Sequence, residues 1–398
     1  MSKTIIHVDM NAYFATCAQI IYPQYKGKPL AVGGQGSRSI ISTASYEARK
    51  YGVHSAMPTY QAKRLCPNLI IVSPDFKVYE RFTNQFVDII RKYATKVEIA
   101  SIDECYADIS DNLKQTTLKP LQYIKNIQDE IYHQTGLSCS IGVAPNKFLA
   151  KMGSDYKKPM GLTVIRKKDV PAILWPIPIG DMYGCGKKTS KLLQEEYGIN
   201  TIGDLANNTN PVVVNKLGKL YEVLHSWANG EGSDNVSEEI DDPKSIGNSH
   251  TLYYDTNNYD DLLKEIDELS THVSKRAIKY ELYGNSLQIT IKYADFHSIV
   301  RDKTLDYPFN DAKTIYLNAV QLFDANYNSE NNIRLLGVTL KNVGPLSSFV
   351  KQLSLFDDKK SKNSFQNTKT QAIIKRINEK LGKDLLKPAS DLRGNKHD

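Results

Sequence analysis

The stretch over residues 76–93 constrains this chain more than any other. Its apolar positions Tyr79, Phe82, Phe86, Ile89, Ile90 and Tyr93 recur every three or four residues, the spacing of one buried helix face. Such a face needs something flat to cover, and the flanking sequence supplies it. Residues 4–8, 96–100, 106–109 and 138–143 are short β-branched or apolar runs that read as strands, and 11–21 and 118–132 read as further helices. The order is β-α-β-β-α-β, an α+β sheet with helices on one face, the ferredoxin-like arrangement.

At 398 residues the chain is long enough for two to four domains. Inserted after the first helix, residues 29–32 and 40–43 read as strands. Residues 45–51 then form a short helix stopped by Gly52, and another begins near Pro58 and ends before Pro67. Residues 166–235 lose the strand signal and become short helices punctuated by glycine, which predicts a small all-α domain. Residues 236–243 form an acidic, polar linker. Beyond it, strands at 285–293 and 333–343 and helices at 260–282 and 310–325 predict a second α+β unit over 244–345, and 346–398 reads as a flexible tail.

Composition narrows the classes. Hydrophobic residues make up 41% and charged residues 24%, and no run of about 18 apolar residues occurs, which excludes a helical membrane span and a wholly disordered chain. Asp9 interrupts the N-terminus before a signal-peptide core could form, so a cytoplasmic location is expected. The five cysteines are odd in number, scattered and without a CxxC pair; they predict neither a disulfide framework nor a zinc site, and are expected to be reduced and mostly buried. Net charge is +7, unevenly placed: residues 241–350 hold 11 basic and 15 acidic side chains, and 351–398 hold 12 and 6. A polyanionic partner is allowed but not demanded.

Three carboxylates come from strand ends that this topology brings together. Asp9 ends the first strand, and Asp103 and Glu104 lie between the two strands that follow the long helix. Clustered carboxylates repel and need a hard cation; Mg²⁺ held by a few carboxylates and substrate phosphates is the usual solution, and two such ions can clamp a phosphoryl displacement. A solvated turn with a helix-capping aspartate has the same local pattern. Tyr46, Arg49 and Lys50 fall at i, i+3 and i+4, one helix face that suits a triphosphate or is simply a basic solvated surface.

Gly184, Gly186 and Lys187 belong to a glycine turn that opens a helix. The turn fails the dinucleotide and Walker patterns, but its free N–H groups can hold a phosphate; a plain turn between helices reads equally well. In the tail, Gln352, Leu353, Leu355 and Phe356 form an apolar cluster within 352–357 that suits a partner contact or docks back on the chain.

Six segments in order resemble the Y-family DNA polymerases of the DNA polymerase IV and UmuC kind: Val8-Asp9-Met10-Asn11-Ala12-Tyr13-Phe14, Thr43-Ala44-Ser45-Tyr46-Glu47-Ala48-Arg49-Lys50, Ile99-Ala100-Ser101-Ile102-Asp103-Glu104, Gly142-Val143-Ala144-Pro145-Asn146-Lys147, Lys158-Pro159-Met160-Gly161 and the Gly184-Cys185-Gly186 helix-hairpin-helix. The resemblance implies a palm (1–22 and 75–165), fingers (23–74), a helix-hairpin-helix thumb (166–235) and a little finger (244–345). It implies that Asp9, Asp103 and Glu104 hold two Mg²⁺. It implies further that Tyr13, Thr43, Tyr46, Arg49 and Lys158 meet the incoming dNTP, and that Phe14 is the steric gate against a 2′-hydroxyl. Primer-template DNA is the implied partner, gripped by Gly184, Gly186 and Lys187 and, in the acidic little finger, by a local stripe of Lys292, Arg301, Lys303, Arg334 and Lys341. Residues 352–357 resemble a sliding-clamp-binding peptide, and the chain is expected to be monomeric apart from the clamp.

The activity implied is template-directed, low-fidelity DNA synthesis across damage. A non-catalytic DNA-binding repair scaffold recruited by the clamp is the alternative; it would be favoured by loss of a palm carboxylate, and all three are present. Asn11 stands where polymerase IV members usually carry a second Asp, so residues 11–14 look like the UmuC branch while 158–161 look like polymerase IV.

Overall fold

The computed structural model describes residues 3–239, 242–349 and 374, and the chain divides into two compact units, Met1–Ile240 and Asp241–Asp398. In the first, β1 (Ile5–Met10) leads into α1 (Tyr13–Ile21). Strands β2 (Leu30–Gly33), β3 (Ile41–Ala44) and β4 (Ile70–Val72) with helices α2 (Tyr46–Arg49) and α3 (Thr59–Leu65) form a small inserted layer of sheet order β3-β2-β4. The chain returns through α4 (Phe76–Arg91), β5 (Lys96–Ile99), β6 (Glu104–Asp108), α5 (Ser110–Gln115), α6 (Pro120–Thr135), β7 (Cys139–Ala144), α7 (Lys147–Tyr156) and β8 (Leu162–Val164), which complete a five-stranded sheet of order β5-β6-β1-β7-β8.

The helix that constrained the sequence reading is α4. Its Tyr79, Phe82, Phe86, Ile89 and Ile90 are buried, and Asp75 caps it by accepting from the N–H groups of Lys77 and Val78. They share one core with Ile124, Ile127 and Ile131 of α6 and with Ile6, Val8 and Met10 of β1. The sheet is not covered on one face only, as the sequence suggested. Helix α7, which the strand-and-helix reading passed over, packs on the other face, with Phe148, Leu149 and Met152 in a second core that includes Ile5. This explains why β1 is buried along its whole length: it alternates between two covered faces. The approach of α7 to β7 depends on Gly142, where an added Cβ would lie 1.9 Å from the Ala150 carbonyl oxygen and 2.4 Å from Ser154 N.

Five short helices follow: α8 (Val170–Ile173), α9 (Lys187–Tyr197), α10 (Ile202–Ala206), α11 (Pro211–Leu217) and α12 (Lys219–Ala228). The first part of the expected linker is not free of the unit, because Val236 is buried and Ser237 N donates to Glu98 Oε2 at 2.9 Å.

The second unit contains β9 (Ser245–Thr256), α13 (Tyr259–Lys279), β10 (Leu282–Tyr293), β11 (Ser298–Phe309), α14 (Ala312–Asn326), β12 (Ile333–Lys341) and the short β13 (Gly344–Pro345), with sheet order β11-β10-β12-β9. Both helices share one core with the sheet. Strands β9 and β11 were not expected from sequence; they are the two edges and carry mostly polar residues. The whole is an α+β multidomain fold: palm with fingers, all-α thumb, and α+β little finger. The clamp-like residues Gln352, Leu353, Leu355 and Phe356 lie outside the described residues.

Candidate active site

Strand β1 pairs with β6 on one side and β7 on the other, so that Asp9 stands opposite Glu104 and Ser140. Asp9 is therefore inside a central strand rather than at its end, and Glu104 opens β6 rather than lying in the preceding turn. Directly opposed residues point to the same face, and here that face is the one covered by α7. Asp103 precedes β6; its carbonyl accepts from Met10 N at 3.0 Å, and Ser101 Oγ donates to its carboxylate at 2.7 Å.

Two ammonium groups reach this cluster. Lys151 on α7 donates to Asp9 Oδ2 at 3.0 Å and to Glu104 Oε2 at 2.6 Å, and lies 3.3 Å from Asp155 Oδ2. Lys158, just beyond α7, donates to Asp9 Oδ2 at 2.8 Å and pairs with Asp155 Oδ1 at 2.7 Å. Buried His7 completes the wall. Ser154 Oγ donates to the Lys151 carbonyl and so accepts from His7 Nδ1 at 2.7 Å, leaving Nε2 turned toward Glu104 Oε2 at 3.1 Å. Ligand atoms of His7, Asp9 and Glu104 all lie within 4.8 Å of one another.

The electrostatics follow from these contacts. The His7 ring and Lys151 beside it hold the Glu104 carboxyl well below the usual carboxylate range against the opposing effect of burial. Asp103 is pushed the other way, by burial first and then by the charges of Asp9 and Glu104, with Ser101 offsetting part of it. Burial disfavours the Lys151 ammonium, but Asp9, Glu104 and Asp155 outweigh this and hold it above the ordinary lysine value. Asp9, Glu104 and Asp155 contact Lys151 or Lys158, and Asp103 stands near enough to Asp9 and Glu104 to feel their charge, so four carboxylates are set against two ammoniums, an excess of negative charge built from hard oxygen donors.

Tyr46, Arg49 and Lys158 converge electrostatically. Ser45 caps α2, placing the Arg49 guanidinium 4.7 Å over the Tyr46 ring while Arg49 Nε donates to the Ala44 carbonyl at 3.0 Å. The Tyr46 hydroxyl is buried without a hydrogen-bond partner of good geometry. Burial pushes it above its ordinary range; Arg49 and Lys158 pull it down and Asp9 pushes it up. Thr43 is half-buried on β3, opposite Val32, and Lys50 is exposed. Phe14, half-buried, stacks on Tyr79 at 4.2 Å. Tyr13 is a correction. Its ring is in the palm core, 2% exposed, with the hydroxyl donating to the Tyr79 carbonyl at 2.7 Å, so its side chain offers no free surface to a nucleotide. Asn11 is equally buried. Its side chain donates to Ser140 Oγ at 2.9 Å and accepts from Met160 N at 2.8 Å, tying the turn after Lys158 to β1.

The outlying candidates divide. Gly184 has φ 86°, and a Cβ there would meet the Trp227 ring at 2.6 Å, whereas Gly186, which precedes α9, has open space; Gly186 and Lys187 are exposed. In the second unit Lys292 and Arg334 both stack on exposed Phe296, at 5.1 and 4.6 Å. The five-residue stripe is not one surface. Arg301 and Lys303 point toward α14, bonding Asn326 and Asn318, while Lys341 pairs with Asp302 on the opposite face, because strand neighbours at odd and even positions face opposite ways.

The sequence reading missed Lys151, Asp155, His7 and Ser154. The Asn146 cap and the run Phe148-Leu149-Ala150 before Met152 were the available signal for the helix that carries three of them.

This fold and site define a nucleotide-polymerising palm, and comparison with known proteins agrees. The impB/mucB/samB family model matches residues 8–155, its C-terminal domain model matches 243–355, and the IMS family HHH motif matches 167–199. The chain belongs to the Y-family DNA polymerases. It is 39% identical to DNA polymerase IV of Bacillus velezensis over 98% of this chain and 94% of that one. Among solved structures it is similar to the Y-family DNA polymerase chimera Dbh-Dpo4(243-245)-Dbh, with TM-score 0.75 and 29% identity over 86% of this chain and 99% of the other. It also resembles the insertion ternary complex of Dbh DNA polymerase, with TM-score 0.60 and 28% identity over 86% and 99%. The chain is a DNA-directed DNA polymerase, with DNA and dNTP as its partners; its family implies dependence on divalent metal. Its curated relatives carry the polymerase IV name, which places the mixed branch signature of the motifs on that side. No helix among the described residues is long and apolar enough to cross a membrane.

Proposed function

We propose that this polymerase adds dNTPs to a primer 3′-hydroxyl with two Mg²⁺ ions held by Asp9, Asp103 and Glu104, and that it serves translesion synthesis in the cytoplasm. The observation that carries the reading is the excess of carboxylate over ammonium at the junction of β1 and β6, with Lys158 and the unpartnered Tyr46 hydroxyl beside it. The donor set fits Mg²⁺: hard oxygens whose repulsion is relieved here by the Lys151 ammonium as a stand-in cation. When bound, the ions would activate the attacking oxygen and stabilise the leaving one.

The chain's own residues do the rest. Arg49 and Lys158 offer charge to the triphosphate, and Tyr46 offers an O–H donor already desolvated. The first backbone N–H groups of α1 lack helix partners and suit a phosphate oxygen. The Phe14 ring, fixed by its stack on Tyr79, excludes a 2′-hydroxyl by bulk. Gly186, Lys187, Lys292 and Arg334 supply sequence-independent contacts to the DNA backbone, and residues 352–357 tether the enzyme to a sliding clamp, where effective concentration offsets low processivity.

Primer extension on undamaged and lesion-bearing templates, with and without clamp, tests the reading. Asp103→Ala and Glu104→Ala should each abolish extension while leaving DNA binding nearly intact. Extension retained by both removes the metal assignment, and failure of the wild type on every template leaves the scaffold.

A further inference from the structure

Lys151 has no task in the chemistry just described. Its ammonium nevertheless holds the most central place in the site, donating to one oxygen of Asp9 and one of Glu104, from different strands, at 3.0 and 2.6 Å. The side chain is largely buried, at 12% exposure, so this is not a surface ion pair of negligible strength. We infer that Lys151 is an internal counter-cation which holds the two carboxylates together in the metal-free enzyme and competes with divalent metal for the same two oxygens, with Asp155 as the carboxylate that retains it when metal takes them. The inference rests on the metal reading above.

Three features support it. Four carboxylates within one small region would otherwise repel, and the folded site must exist before metal and nucleotide arrive. Lys151 and Asp155 are i and i+4 on one helix, so the Lys151 ammonium can move toward Asp155 Oδ2, now 3.3 Å away, by side-chain rotation alone. Asp155 is also the second partner of Lys158, so one carboxylate keeps both ammoniums near the site when they leave Asp9. Lys151 is thus a positioning residue whose charge sets how readily the site loads.

The test is a Mn²⁺ titration of the full chain, read by electron paramagnetic resonance without DNA or nucleotide, alongside melting temperature in chelator and in Mg²⁺. Lys151→Met should bind Mn²⁺ roughly tenfold more tightly, as expected for removing a unit positive charge in contact with two ligands. It should melt lower in chelator and regain more stability from Mg²⁺ than the wild type does. Lys151→Arg, which keeps the charge, should move back toward wild-type affinity. In an Asp155→Asn background the effect of Lys151→Met should grow, because the lysine there lacks its alternative partner. Asp9-dependent Mn²⁺ binding that is unchanged or weaker in Lys151→Met overturns the inference alone. Strict additivity with Asp155→Asn overturns the role of Asp155. Absence of Asp9-dependent binding in wild type and variants alike overturns the metal reading and this inference with it.

Discussion

Gly142→Ala adds a single methyl group where the palm has no room for one. The new Cβ would lie 1.9 Å from the Ala150 carbonyl oxygen, 2.4 Å from Ser154 N and 2.8 Å from Gly153 C. All three are backbone atoms of one helix, so no rotamer change relieves the clash and α7 must move off β7 by about 1 Å. Overpacking of this kind costs typically ~1–3 kcal/mol, and the absence of a flexible neighbour places it at the upper end, about 3 kcal/mol. For a unit of this size each kcal/mol lowers Tm by about 2–4 °C, so a drop of about 6–12 °C is expected. The same shift carries Lys151 and Ser154 away from Asp9, Glu104 and His7, so extension should fall by more than the loss of folded protein explains. Differential scanning calorimetry and primer extension at a temperature where the variant is fully folded measure both. Gly186→Ala, whose Cβ meets nothing within 4 Å, is the control, with stability within about 1 kcal/mol of wild type. A Gly142→Ala protein that melts with the wild type would refute the close-packing argument for α7.

Phe14→Ala should gain ribonucleotide incorporation, measured as the ratio of kcat/KM for dNTP and rNTP; an unchanged ratio removes the ring from sugar selection. Arg334→Ala should weaken DNA binding on all sequences and reduce the slope of log K against log salt by about one, whereas an unchanged slope places Arg334 off the DNA. Burial pushes the Cys17 and Cys105 thiols up to about 12 from 9.0. The folded state then holds protons that the unfolded chain releases from about pH 9 upward, so stability should fall as pH rises through that window and on toward 12. Urea unfolding at stepped pH checks this, and thiolate absorbance from all the cysteines at pH 10 in a still-folded protein would contradict it.

What could be read from sequence was what repeats locally. The apolar spacing of α4, the β-branched opening of β1 and the β7 run over 139–144 each carry their own signal, and all five cysteines are buried and free, as expected. Edge strands β9 and β11 were missed because one face of each meets solvent and their apolar residues are interrupted by polar and charged ones. Helix α7 was missed for a different reason: it is short, with Gly153 inside it, and follows directly on β7, although its Asn146 cap and apolar Phe148, Leu149 and Met152 were there to be read. Losing α7 also lost Lys151, whose partners Asp9 and Glu104 are 142 and 47 residues away in the chain. No local pattern encodes such a contact. The basic stripe of the second unit failed because charge was counted along the chain, while a strand deals alternate residues to opposite faces.

The position of β1 between β6 and β7 ties the carboxylate cluster to the register of a single strand. A slip of β1 by one residue would turn Asp9 and His7 into the apolar layer under α4 and α6 and present Val8 and Met10 to Lys151. With a partner strand on each side, such a slip breaks both ladders together. A chain misthreaded there loses the carboxylate cluster and the pairing of the sheet beneath it together.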